Sequence, residues 1–400
     1  MEARMTGNSS IARRAFALVL MGGLVTASAV AQAPKRLIAY YHSGGLKATP
    51  RYSADQIPYQ KLTHLIHVVV LPSKAADGTV EAIEDALEPA LVPRAHSAGV
   101  RVLVCVQGAA ELFSKIAASE DARTRFGESL REFVDKYGYD GVDIDWEVPQ
   151  GAADVANCTK LMQAVRAAVP APRYLLSMAT PSTPGHWGEF DFPGLTPLLD
   201  FYNVMTYDFH GPWTNHTGHN SPLFSAASDT GHDGSLDDSV GLYLNQFGVP
   251  PGKINLGTAF YGYEFPVAGL SAECNCEKTT VSRKYGPEIK PRLNRNVSSR
   301  DGSRSGDRGN DRQDDLGKWV RHFDPVAMAP YLVYDSDPAI FLTYDDPEST
   351  ARKVVYALQV RDLGGVFMWE LSQDYDGASQ DLLDAMYTAF QRSVAKTGAH

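Results

Sequence analysis

The stretch "DGVDIDWE", Asp140 to Glu147, decides how this chain is read. It puts four carboxylates into eight residues and interleaves them with Val142, Ile144 and Trp146. Residues two apart in a strand share a face. Asp143, Asp145 and Glu147 therefore point one way, and the apolar three point the other way, toward covering helices. Like charges stacked on one face raise one another's pKa, so the column shares protons at neutral pH. Glu147, the outermost, is then suited to act as a general acid, with Asp145 holding or passing a proton. Three other readings compete. A calcium loop needs Gly-containing turn chemistry within it, and this segment is β-branched and aromatic. A catalytic divalent metal needs histidines at ligand spacing, which are not evident nearby. Arg-capped structural acids are a costly way to hold a fold.

Outward from this stretch, short apolar runs alternate with helical periodicity. "RLIAYYHSG" (36–44), "KLTHLIHVVVL" (61–71) and "VRVLVCVQG" (100–108) read as three strands before it. "RTRFGESLREFVDKYG" is an amphipathic helix with Phe126, Leu130, Phe133 and Val134 on one face and Gly138 at its end. "RYLLSMATPS" (173–182), "FYNVMTYDFHGP" (201–212), "KINLGTAFYGYEF" (253–265) and "GVFMWELSQD" (365–374) read as four strands after it. "SLDDSVGLYLNQFG" reads as a helix capped by Ser235. Strands alternating with helices indicate parallel βαβ units, and eight close best as a (β/α)₈ barrel. A doubly wound open sheet is the alternative, but no Gly-rich phosphate fingerprint follows the first strand. The last residue of the acidic column then lies at the strand's C-terminal end, where barrel enzymes keep their catalytic groups.

Residues 266–340 are far too many for an ordinary connection and read as an insertion between the seventh and eighth strands. Its middle, 294–315, is polar and Gly-rich and reads as a solvated loop. Its aromatic flanks suit a small sheet. The catalytic barrel is thus expected over 35–265 and 341–395.

The chain has 400 residues, 44% hydrophobic, with a net charge of −10. That charge argues against nucleic acid or an anionic membrane as partner. Arg13 and Arg14 precede a short apolar run ending in Ala29-Val30-Ala31. Residues 1–31 read as a cleaved signal peptide, of the general secretory or the twin-arginine type, giving a secreted or periplasmic protein. An uncleaved signal anchor is the competing reading. Export permits disulfides, and Cys105, Cys158, Cys274 and Cys276 allow three full pairings, among which the sequence does not choose.

The quoted stretch resembles the D-x-x-D-x-D-x-E signature of glycoside hydrolase family 18, the chitinase family. "MTYDFHGPW" (205–213), "YDDPES" (344–349) and "GGVFMWELSQD" (364–374) are similar to further segments of that family, and the insertion sits where such chitinases carry an α+β domain. The resemblance implies a secreted endo-acting chitinase that cleaves β-1,4-linked N-acetylglucosamine polymers. In that family the substrate's own N-acetyl oxygen replaces an enzymic nucleophile. By the resemblance, Glu147 is the general acid and base. Asp145 orients the acetamido group, Asp143 lies behind it, and Tyr207 donates to the acetamido oxygen. Trp369 is the floor under the sugar, Met205 packs beneath, and Asp208 helps hold the distorted ring. Tyr40 contacts the inner Asp, and Trp213 is either a cleft or a packing residue. Asp140, Gly141 and Cys105 are structural members of the motifs. No metal and no cofactor are expected, His210 and His219 being read as non-metal residues, and the protein is expected to act as a monomer. An endo-β-N-acetylglucosaminidase of N-glycan cores and a non-catalytic chitin lectin are the alternatives.

The chain departs from the family at two places. The usual S-x-G-G is Cys105-Val-Gln-Gly108, so a thiol, a weak donor, replaces the serine beside the inner acid and Gln107 narrows the cleft. The usual F-Y-G-R is Phe260-Tyr-Gly-Tyr263, which lacks the substrate-binding arginine.

Overall fold

The apolar runs pair into one ring of parallel strands. In the computed structural model, which describes residues 34–183, 189–214, 216–227, 233–267, 282–285, 319–334 and 339–397, the strands are as follows. β1 (Arg36–His42), β2 (His64–Pro72), the short β3 (Val80–Ala82), β4 (Arg101–Gln107) and β5 (Gly141–Asp145) come first. β6 (Leu175–Pro181), β7 (Phe201–Met205) and β8 (Ile254–Ala259) follow. Then come β9 (Tyr261–Val267), β10 (Ser282–Tyr285), β11 (Trp319–Asp324), β12 (Ala329–Tyr334), β13 (Ala339–Thr343) and β14 (Gly365–Trp369). The order β1-β14-β8-β7-β6-β5-β4-β2 is closed by β1 pairing with β2, which gives the eight-stranded parallel barrel that the alternation implied. β3 is an antiparallel appendage on β2. The expected leader at 1–31, the polar loop at 294–315 and both Cys274 and Cys276 lie outside the described residues. Cys105 and Cys158 are buried free thiols. Among the described residues, no helix is long and apolar enough to cross a membrane.

Strand parity separates two interiors. Val142, Ile144 and Trp146 join the outer core between sheet and helices, with Phe126, Leu130 and Val134 of the helix Glu120–Tyr137 and Leu161, Met162 and Val165 of the helix Gly151–Ala168. Ser119 caps the first of these helices by accepting from the Ala122 amide, and Gly138 ends it at φ +76°. The opposite parity fills the barrel with Ile38, Tyr40, Ile66, Leu103, Cys105, Phe201 and Phe367. Asp143 and Asp145 share that inner face. β5 comes close to β6 at Gly141, where an added Cβ would lie 2.1 Å from the Leu175 carbonyl oxygen, so only glycine fits.

The run 253–265, expected as one strand, is two. β8 ends at Ala259 in the barrel, and β9 begins at Tyr261 in a second, antiparallel sheet of order β10-β9-β13-β12-β11. The Phe260 amide donates to the Trp369 carbonyl at the junction (2.8 Å). Both halves are apolar and buried, so nothing in their composition marks the break.

A buried ion pair ties this second sheet's exit to the barrel mouth. Lys353 Nζ lies 2.7 and 2.6 Å from the two Asp345 oxygens and donates to Ser221 Oγ (2.8 Å). Ser221 Oγ in turn donates to the Thr206 carbonyl (2.7 Å), beside Tyr207. Burial lowers the Lys353 pKa and raises that of Asp345, while each partner opposes the shift of the other. Lys353→Met is expected to lower unfolding free energy by about 3–5 kcal/mol, because it strands Asp345 as a buried charge. Chemical denaturation at neutral pH measures it, and a loss below about 1 kcal/mol would contradict the buried-charge argument.

Candidate active site

The barrel's C-terminal mouth holds a cleft of about 400 Å³. Of the residues singled out from the sequence, Tyr40, Asp145, Glu147, Met205, Tyr207, Asp208, Trp213 and Trp369 line it. Asp143, Asp140, Gly141 and Cys105 do not. Asp143 and Cys105 lie deeper in the barrel, both fully buried. Asp140 lies at the far end of β5 as a structural anchor: it accepts from His96 Nε2 (2.8 Å) and the Val102 amide (2.7 Å).

The acidic column rises from a polar network in the barrel. Asp143 accepts from Tyr40 Oη (2.9 Å), Ser177 Oγ (2.5 Å) and Asn203 Nδ2 (3.2 Å). Asn203 is itself held by Asn255 (2.9 Å), and Asn255 by Arg36 (2.9 Å). Burial raises the Asp143 pKa, and these donors together with the Cys105 thiol pull it back. Burial, and then Asp143 itself, raise the thiol's pKa, so Cys105 stays protonated and acts as a donor. The inner acid is therefore not left to a weak thiol alone. Ser177, one strand over on β6, supplies a hydroxyl. Ser177, Asn203 and Asn255 were not anticipated from the sequence, where each is a lone polar residue in an apolar run.

Asp145 sits next outward, also buried. Burial, Glu147 and Asp143 raise its pKa well above the usual range, and a hydrogen bond from Gln107 opposes this. Glu147 stands two residues past the end of β5 and is exposed at the cleft. Burial is the first cause of the raised pKa at both inner acids. The cross-strand neighbour of Asp145 is Gln107, whose Nε2 donates to Asp145 Oδ2 (2.8 Å). Gln107 does line the cleft, as its size implied, and it also holds the column's middle acid. Gln107→Ala removes the donor that favours ionised Asp145, so Asp145 keeps its proton to higher pH. The pH–rate profile is expected to move to higher pH with little change in melting temperature. An unmoved profile would show that the contact carries no electrostatic weight.

On the other wall, Asp208 adopts φ +63°, and its amide donates to Asn220 Oδ1 (3.0 Å). Its Oδ1 accepts from Tyr261 Oη (2.6 Å) and Tyr263 Oη (2.8 Å). Tyr263, at the place of the missing arginine, is thus a second hydroxyl on Asp208. Trp369 packs against Tyr40 with ring centres 5.5 Å apart. Trp213 is 44% exposed and meets the edge of Tyr263, so it stands at the cleft's rim. His219 Nε2 lies 3.3 Å from Asp324 Oδ2, whereas His210 gathers with His216 and Asp233.

Comparison with known proteins agrees with this architecture. The chain is 29% identical over 282 residues to "Endochitinase 1" of Metarhizium robertsii, covering 66% of this chain and 59% of that one. The chain therefore spans less than two thirds of that relative. The structure of Ostrinia furnacalis Group IV chitinase in complex with allosamidin superposes with a TM-score of 0.72, at 23% identity, over 90% of this chain and all of that one. A glycoside hydrolase family 18 N-acetylglucosaminidase from Paenibacillus barengoltzii gives a TM-score of 0.71 at 27% identity, over 89% of this chain and 99% of that one. A closed parallel barrel, an acid-bearing β5 that points into its mouth, and a match of the family model over residues 36–374 lead to one conclusion: the chain belongs to glycosyl hydrolases family 18.

Proposed function

We propose that the protein is an exported, endo-acting chitinase that hydrolyses β-1,4 links between N-acetylglucosamine units with retention. One observation carries the reading: an exposed carboxyl, Glu147, faces the cleft with the buried, proton-retaining Asp145 directly behind it. The other acid of the cleft wall, Asp208, already accepts from two tyrosine hydroxyls. The nucleophile then comes from the substrate. Glu147 gives its proton to the glycosidic oxygen, and the bond from that oxygen to the anomeric carbon breaks with its electron pair staying on the leaving oxygen. The acetamido oxygen closes onto the anomeric carbon. Asp145 and Glu147 share a proton, and when Glu147 holds it Asp145 is the carboxylate that accepts the acetamido N–H and offsets the positive charge that develops. The Tyr207 hydroxyl donates to the acetamido oxygen. Water then attacks, Glu147 takes its proton, and the ring opens with net retention. Trp369 is the apolar floor for the sugar, Met205 packs beneath it, and Trp213 offers a stacking face at the rim. Asp143, held by Tyr40, keeps Asp145 from ionising alone.

The names of the chain's relatives support the substrate class. The likeness to the Paenibacillus N-acetylglucosaminidase favours a second reading, release of single N-acetylglucosamine units. Product analysis on chitin oligosaccharides and on a high-mannose glycoprotein separates the possibilities. Internal cleavage of the oligosaccharides supports the proposal, and monomer alone supports the second reading. Activity on the glycoprotein alone, or binding without cleavage, overturns both. A mature N-terminus at Gln32 in an extracytoplasmic fraction is the test of export.

A further inference from the structure

We propose that His210, His216 and Asp233 form a binding site for a divalent transition metal of zinc-like chemistry, separate from the acidic column. One donor atom from each of the three lies within 4.8 Å of the others. His210 Nε2 and His216 Nε2 are each 3.2 Å from Asp233 Oδ2. Bonds of about 2.0–2.1 Å arranged tetrahedrally set their ligand atoms roughly 3.3–3.4 Å apart, so these separations suit one shared ion.

Hydrogen bonding fixes which nitrogens face inward. His210 Nδ1 meets the His219 carbonyl (2.9 Å), and His216 Nδ1 meets the Thr217 carbonyl (3.2 Å). A carbonyl only accepts, so each Nδ1 carries the proton. In the neutral imidazoles each Nε2 is then a lone pair. Two lone pairs and a carboxylate oxygen thus converge, an arrangement that repels itself unless a cation lies between them. An Nδ1–H held by a backbone carbonyl is also the outer arrangement that orients metal-bound histidine. A proton on one ring is the competing cation. Whichever ring takes it, the proton leaves the other ring's lone pair facing the same carboxylate oxygen, each Nε2 being 3.2 Å from Asp233 Oδ2. Imidazole with one carboxylate favours zinc, nickel or copper over calcium or magnesium.

The position gives the site a consequence. His210 and His216 bracket Trp213, and Asp233 lies just before the Ser235 cap of the helix Leu236–Gly241. A bound ion fastens the segment that carries Asp208 and Trp213 to that helix.

The test uses the full untagged protein, stripped with chelator and titrated with Zn²⁺ by competition calorimetry. The expected result is one equivalent per chain and a melting temperature that rises with Zn²⁺ concentration, with no such response to Ca²⁺ or Mg²⁺. His216→Ala and Asp233→Asn should each weaken uptake by ~100-fold or more, beyond the loss of an outer partner. Co²⁺ should give the visible bands of a four-coordinate site in wild type and not in the variants. His216→Gln, which keeps a polar side chain at a half-buried position, carries the same expectation should the alanine variant fold poorly. No uptake by wild type, or uptake undiminished in the variants, overturns the proposal.

Discussion

Glu147→Gln is expected to lower kcat roughly 100- to 10,000-fold, the range for loss of a general acid–base, while KM for chitin oligosaccharides changes little. The amide keeps the size of the side chain and cannot donate the proton. Glu147 is exposed and lies beyond β5, outside the outer core, and it meets the column at Asp145, to which an amide of the same size can still hydrogen-bond. Its melting temperature should match wild type. Near wild-type turnover by the variant would remove Glu147 from the chemistry. A loss of activity that tracked a loss of stability would assign it a structural role.

Asp145→Asn is the second large effect, and it separates function from stability. Its kcat should fall roughly 100- to 1,000-fold, the scale of losing one preorganised electrostatic contact to a developing charge. Asparagine still accepts from the acetamido N–H but brings no negative charge to the cyclised sugar. The limb of the pH–rate profile that belongs to the coupled carboxyls should vanish with it. Stability should move the other way. The folded-state pKa of Asp145 is raised well above the ordinary value of an aspartate, chiefly by burial. Its contribution is therefore harmless below that pH and becomes a growing cost as pH rises toward the folded value. Asparagine has no such cost, so the variant should be as stable as wild type at acid pH and more stable near neutrality. A variant less stable at neutral pH would contradict the assignment of Asp145 as a desolvated, strained acid.

How far these features could be read from the chain depends on the range of the signal. The parity of "DGVDIDWE" was legible because acids and apolar residues alternate in one short run, and alternation survives folding unchanged. The barrel was legible for a similar reason, since each strand and each helix announces its own period. The break at Phe260 was not, because β8 and β9 are both apolar and only the pairing partner changes. Ser177, Asn203, Asn255 and Arg36 come from four separate strands, and each looks like an isolated polar intrusion until the barrel closes around Asp143. Gln107 was visible as an oddity of size, yet its hydrogen bond to Asp145 depends on cross-strand register. His210 and His216 share no ligand spacing with Asp233, so only the folded loop and the start of the following helix bring the three together.

The central claim is that one carboxyl, Glu147, serves as both acid and base while the substrate's acetamido group is the nucleophile. Proton NMR of the first products from a chitin oligosaccharide, recorded before the anomers equilibrate, tests it most directly. The account predicts the β-anomer at the new reducing end. An α-anomer as first product would mean direct attack by water and would contradict it.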